Sequence, residues 1–293
     1  MATLLAPDRK VCHVSVPKVA STTLQWLMAD LAGLDEECFR DTLSYAPTCE
    51  QTVHAGRLWP PHLRVRRPTA DDARAAGVDS DWFVFSVVRD PRERLWSAWQ
   101  SKFLVRRRRY VEMYGAEPWF PRVPRAPQDV VEDFTRFVEA LVEGNSELMR
   151  ADAHFRPQAP TVLDGPFDVT NVYAIHDIPT LLGDLGTHLA SYGIGVPELR
   201  RDNTTPLGLV AEVLEDGVGE AIVGLYSDDF NRLGHLWPAE PRTGPFASWS
   251  TAALRDVSSR VALHERVEDV VVLARDLKRQ RSQLTTRGPV PHI

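Results

Sequence analysis

The 293-residue sequence has only three cysteines, Cys12, Cys38 and Cys49, and no C-x-x-C pair. An odd count leaves at least one thiol unpaired, which suits a reducing compartment and argues against a disulfide framework or a structural zinc site. Cys12, inside an apolar run, reads as a small buried hydrophobe. Long apolar stretches are also missing: none approaches the roughly 20 residues that cross a bilayer, so no membrane span is expected. The opening residues lack a basic segment, a long apolar core and a small-residue cleavage site, and the expectation is a cytoplasmic protein. Positive charge is in deficit, with 34 Lys and Arg against 40 Asp and Glu and a formal net charge of −6. That excludes a general nucleic-acid binder but leaves room for a local basic pocket that takes a small anion. The G-x-x-x-x-G-K-[ST] order of a Walker A loop is absent as well.

What is present, 43% hydrophobic and 25% charged residues, is enough for one well-buried α/β core. Residues Val11 to Val16 alternate like a strand, pass through Pro17-Lys18, and give way to helical spacing at Thr22, Leu24, Leu27, Met28 and Leu31. A second strand-to-helix unit starts at the continuous apolar run Trp82 to Val88, which suits a strand buried on both faces; Arg89-Asp90-Pro91 ends it. Between them, residues 35–81 read as loop with one extra strand near Gln51 to Ala55, and the four prolines of Gly115 to Gln128 make that segment a loop. Helices are expected at Val130 to Val142 and Ile178 to Leu189, with a strand at Thr170 to Ile175. After Pro245 the pattern predicts a helix from Ser250-Thr251 with a break near His264, and a frayed tail from Thr285 to Ile293. The reading is a 1–245 catalytic domain with a 246–293 helical extension, the latter packing either on that domain or on a second copy as a homodimer.

Two segments carry the chemistry. In the first, a strand feeds Pro17-Lys-Val-Ala-Ser-Thr-Thr23 at the start of a helix, where main-chain N–H groups and the hydroxyls of Ser21, Thr22 and Thr23 can nest an anion and Lys18 can meet developing charge. In the second, Arg89 and Ser97 bracket the first turns of the next helix, so that a guanidinium fork and a hydroxyl can clamp another phosphate. Arg92 and Arg94 read as a solvated face or as ion pairs within the motif.

With both segments in this order, the sequence resembles the sulfotransferases that use 3′-phosphoadenosine 5′-phosphosulfate (PAPS), closest to the carbohydrate branch with the chondroitin and heparan-sulfate 2-O enzymes. Pro-Lys-Val-Ala-Ser-Thr-Thr looks like the family's 5′-phosphosulfate loop, and Arg-Asp-Pro-x-Glu-Arg-Leu-x-Ser-Ala-x-x-x-Lys-Phe like its 3′-phosphate motif. The resemblance implies a three-layer, P-loop-like α/β sandwich with a mostly parallel sheet. It further implies that Lys18, Val19, Ala20, Ser21, Thr22 and Thr23 hold the 5′-phosphosulfate, with Lys18 also catalytic, and that Arg89 and Ser97 hold the 3′-phosphate. PAPS would be the co-substrate, adenosine 3′,5′-bisphosphate (PAP) the product, and no metal would be needed. Leu199 to Thr205 is similar to a late loop that closes over the nucleotide, which adds Thr204 to the expected contacts.

A base must take the proton of the acceptor hydroxyl, and histidine suits that task near neutral pH. His154, in Asp152-Ala-His-Phe-Arg-Pro-Gln158, resembles an Asp-x-His-Trp-x-Pro segment of the chondroitin branch with Phe155 in place of Trp. His54 resembles the position of a His-Gly-His motif in the 2-O branch, with Arg57 where a second His is expected. His154 is the favoured candidate, with a carboxylate such as Asp152, or no single base, as the alternatives. Arg106 to Arg109 read as a solvated helix end or a receptor for an acidic acceptor. The expected acceptor is a hydroxyl of a glycan, glycolipid or glycosylated small metabolite. A nucleotide-binding scaffold without catalysis and a P-loop kinase-like phosphotransferase stay open as alternatives.

Overall fold

The computed structural model describes residues 3–40, 49–65, 70–75, 81–144, 146–200 and 205–286. At its centre lies a sheet of β1 (Thr3–Ala6), β2 (Val11–Val14), β3 (Arg64–Val65), β4 (Phe83–Val88) and β5 (Asn171–Ala174), in the order β3-β1-β2-β4-β5. Strands β2, β4 and β5 pair in parallel, whereas β1 runs antiparallel to both of its neighbours. The sheet is thus mostly parallel with one reversed strand. The reversal follows from a short link: Pro7–Arg9 makes a single 3₁₀ turn and Lys10 takes φ 48°. A parallel neighbour would need a crossover of a dozen residues or more.

The helices, in chain order, are α1 (Ser21–Leu31), α2 (Ala70–Ala75), α3 (Pro91–Trp99), α4 (Arg108–Tyr114), α5 (Pro127–Glu143), α6 (Ser146–Ala151), α7 (Ala159–Leu163), α8 (Ile178–Ala190), α9 (Val218–Leu225), α10 (Ser227–Leu233) and α11 (Thr251–Thr286). Every residue of β4 is buried, as an uninterrupted apolar strand between two covered faces requires. On one face Val11, Phe83 and Phe85 pack with Leu24 and Leu27 of α1 and Leu181 and Leu185 of α8; on the other, Cys12, Val14 and Val84 pack with Ala73 and Phe167. A second core forms where α3, α5, α9 and the start of α11 meet. Trp96 stacks on Trp99 at 5.3 Å and on Trp249 at 5.5 Å, and α5 buries Val130, Phe134, Phe137, Val138 and Leu141 on one helical stripe.

Two expectations are corrected. The segment expected as a strand at Gln51 to Ala55 is the 3₁₀ helix Cys49–His54, because the Val53 carbonyl turns inward to accept from Trp59 Nε1 (2.7 Å) and Arg64 (3.2 Å), and His54 is tied to α1. Those bonds outweigh the strand preference of Thr52-Val53. The terminal helix does not break at His264. That ring is buried, its Nδ1 3.0 Å from the Val105 carbonyl, so the polar residue that suggested an interruption is satisfied by a neighbouring segment. The first turns of α11 bury Leu254 and Val257 in the second core, while Val270, Leu273 and Leu277 are exposed. Residues 287–293 of the expected frayed tail lie outside the described residues.

Candidate active site at the ends of the parallel strands

Strand β2 runs through Ser15 and Val16 into a loop with two non-glycine residues in the left-handed region, Lys18 at φ 71° and Ala20 at φ 57°. Each costs on the order of 1–2 kcal/mol, and such strain collects at functional sites. Ala20 occupies the cap position of α1 and has no side chain that can cap it, so the positive end of the helix dipole faces the loop without a side-chain cap. Lys18, half-buried beside them, is surrounded by the charges of Lys102, Arg107, Arg89 and Arg94, and among the described residues no carboxylate pairs with it. Burial, then those four cations, holds its ammonium well below the usual lysine range. A strained loop, a helix start without a side-chain cap and a concentration of positive charge together fit an anion.

The neighbouring candidates divide. Val19 is fully buried in the core, so only its main chain faces the loop. Ser21 is half-exposed in the first turn. The Thr22 hydroxyl sits 2.9 Å from His54 Nε2, and the Thr23 hydroxyl donates to the Arg200 carbonyl at 2.8 Å. Arg200 stacks 4.0 Å over Trp26, which brings the stretch before residue 201 against α1. Thr204 lies outside the described residues.

Asp90 caps α3 by accepting from Arg92 N–H at 2.8 Å, with Pro91 in the first turn. The Arg89 main chain is clamped by Gln158, whose Oε1 accepts from Arg89 N–H (3.0 Å) and whose Nε2 donates to Arg89 O (2.8 Å). Its guanidinium donates to Glu93 at 2.8 Å and lines a cavity of about 190 Å³ with Ile175, His176, Trp237 and Arg242. Ser97 is buried on α3 and is not among the residues lining that cavity. Arg92 forms the ion pair expected within the motif, forked onto Asp90 at 3.1 and 2.7 Å. Arg94 departs from the expectation. It is 1% exposed and donates to three carbonyls, those of Pro17 (3.1 Å), Arg156 (2.8 Å) and Ala153 (3.3 Å).

Both candidate histidines lie within electrostatic reach of Lys18 and of one another. They differ in what their nitrogens do. His54 has both engaged, with Thr22 Oγ1 at 2.9 Å and Gln25 Nε2 at 3.0 Å. His154 Nδ1 donates to Asp152 Oδ1 at 2.6 Å, which leaves Nε2 as the acceptor, and Asp152 is itself held by Tyr110 at 2.5 Å. Burial and Lys102 push His154 down to about 3 despite Asp152, so the ring is neutral at neutral pH, as a base must be. The Asp152 carboxyl lies below the usual range; burial opposes this, and the His154 and Tyr110 hydrogen bonds outweigh it.

Lys102 and Arg94 are the residues that sequence reasoning did not assign to the site. Lys102 comes from a π-helical turn, Gln100–Leu104, that continues α3, a distortion frequent at functional sites. It lies 5.7 Å from the centre of the Tyr110 ring, and burial followed by Arg107 pushes it down to about 7. The signal was its place in the second motif, at the position written Lys-Phe. The arginine run separates by environment: Arg106 reaches the Pro121 carbonyl over Phe120, Arg108 pairs with Glu112, Arg109 is exposed, and Arg107 faces the Lys18 and Lys102 charges.

Two helix starts rich in basic residues thus follow adjacent parallel strands of an α/β sheet, and a carboxylate-oriented histidine lies within electrostatic reach of the first. Residues 1–167 match the model described as the Sulfotransferase family, which is more than half of the chain. The chain belongs to that family, whose activity is sulfuryl transfer. No curated protein and no solved structure matches the chain.

Proposed function

We propose that this chain transfers the sulfuryl group of PAPS to a hydroxyl of a glycan, glycolipid or glycosylated small metabolite and releases PAP. The observation that carries the reading is the concentration of positive charge around Lys18, at a helix start that has no side-chain cap and within electrostatic reach of His154, whose Nδ1 is held by Asp152. The acceptor oxygen attacks sulfur while its proton passes to His154 Nε2. The bond from sulfur to the bridging oxygen breaks, its electron pair stays on the leaving 5′-phosphate, and Lys18 meets the charge that develops there. Arg89, at the second helix start, is the ligand for the 3′-phosphate. The likeness of the two motifs and of the Asp152 to Gln158 segment to the carbohydrate branch supports a sugar-bearing acceptor. Among the described residues, no group of three or more His, Cys, Asp and Glu side chains is arranged to hold a metal ion, and the cations of the site offer an alternative source of charge neutralisation.

The test is transfer from labelled PAPS into a cell extract, in the presence of chelator, with the product identified by mass. A sulfated hydroxyl is expected. Lys18→Ala is expected to lower turnover more than PAP affinity, and Arg89→Ala to weaken PAP binding by about 1.5–3 kcal/mol. A wild-type protein that binds PAP and transfers nothing would favour a non-catalytic nucleotide binder.

A further inference from the structure

We infer that Arg94 is a positioning residue that fixes the distance between the Lys18 loop and the His154 segment, so that the group meeting the leaving phosphate and the base stay in register. This rests on the sulfotransferase reading of the site. The guanidinium has three acceptors, and they come from two pieces of chain far apart in sequence: Pro17, immediately before Lys18, and Ala153 and Arg156, on either side of His154 and Phe155. Arg94 itself sits in α3, and it is 1% exposed.

Three features make this more than a satisfied buried arginine. First, the fork is rigid and planar, so bonds from Nε and both terminal nitrogens set the spacing of the two loops; a lysine ammonium cannot span it. Second, among the described residues no carboxylate forms a salt bridge with Arg94, although Asp229 lies within electrostatic reach. Asp229 is instead occupied in accepting from the N–H groups of Gln158 and Ala159, both at 2.7 Å. A buried cation satisfied by carbonyls alone is an expensive device where only packing is needed. Third, another carbonyl of the segment, Phe155 O, accepts from Tyr226 at 2.7 Å. Among the anchors of the His154 segment, Tyr226 is independent of the phosphate loop, whereas Arg94 bonds to both.

The experiment compares Arg94→Lys, which keeps the charge and loses the fork, with Tyr226→Phe, which removes only the independent anchor. Hydrogen exchange is read without any substrate. In Arg94→Lys, peptides covering residues 16–21 and 152–158 are expected to exchange at least tenfold faster together while the sheet is unchanged; in Tyr226→Phe only 152–158 should loosen. Exchange confined to one segment in Arg94→Lys, or no change in either, overturns the proposal. Kinetics give the second readout: Arg94→Lys should cut kcat about 10²-fold with the Kd for PAP within threefold. A loss of PAP affinity that accounts for the whole effect would make Arg94 a nucleotide ligand and refute the coupling. If wild-type protein transfers no sulfuryl group, the functional reading fails, while the exchange result still decides whether Arg94 joins the two loops.

Discussion

The carboxylate of Asp152 holds His154 twice, accepting from its main-chain N–H at 2.9 Å and from Nδ1 at 2.6 Å. One oxygen thereby sets both the turn of the backbone and the tautomer of the ring. The other oxygen is taken by Tyr110, so the dyad continues into the second hydrophobic core, where Tyr110 packs edge-on to Phe103.

Asp152→Asn is expected to reduce turnover about 10²-fold, the low end for a proton transfer, with PAP affinity within threefold. His54→Ala should act differently. It strips a partner from Thr22 and from Gln25 at the start of α1, and the expected loss is in nucleotide affinity and stability. Steady-state rates beside PAP titrations check both. Full turnover in His154→Ala with an inactive, PAP-binding His54→Ala would reverse the assignment of the base.

Anion binding should take up protons. Lys102 sits at about 7 and Lys18 well below the usual range in the free protein, and a phosphosulfate beside them would raise both. Calorimetry of PAP or PAPS binding at pH 7.5, in two buffers with different ionisation enthalpies, is expected to show net proton uptake that falls in Lys102→Met. Identical uptake in that variant would remove Lys102 from the anion's surroundings.

His13, fully buried in β2 and stacked 4.8 Å from Phe85, has no hydrogen-bond partner for either ring nitrogen among the described residues, and burial pushes it down to about 3. Its ordinary value is 6.5. Between those two values the unfolded chain binds a proton that the folded chain refuses, so stability falls as pH drops through that window. His54 and His154 contribute with the same sign. His13→Leu is expected to move the midpoint of acid unfolding to lower pH, as followed by circular dichroism. An unchanged midpoint would mean that His13 takes up its proton without unfolding.

Trp249 lies face to face with Trp96, tilted by 5°, and donates from Nε1 to the Gly208 carbonyl at 2.9 Å. Trp249→Ala should cost about 3–5 kcal/mol in denaturant unfolding. Substituting exposed Leu273 with Gln should stay within about 0.5 kcal/mol. Truncation after Pro245 removes Trp249, Leu254 and Val257 from the second core together, and a protein that unfolds cooperatively at lower denaturant is the expected result.

The order of residues alone determined the strand-to-helix units at Val11 and Trp82, because a parallel strand buried on both faces leaves an apolar run and its exit leaves Lys18-Val19-Ala20 or Arg89-Asp90-Pro91. The helical stripe of α5 and the strand at Asn171–Ala174 were legible for the same reason of period. Local pattern does not carry the partners of a polar side chain, and there the tertiary structure decided. Thr52-Val53 has the composition of a strand, yet its carbonyl and the neighbouring His54 are spent on Trp59, Arg64 and α1. Arg94, between Glu93 and Leu95, has the look of a solvent-facing charge; the packing of residues 17 and 153–156 against α3 buries it and supplies three carbonyls. Both histidines were candidates in the chain, and only the folded arrangement distinguishes a ring held by Asp152 through Nδ1 from one whose two nitrogens are engaged by Thr22 and Gln25.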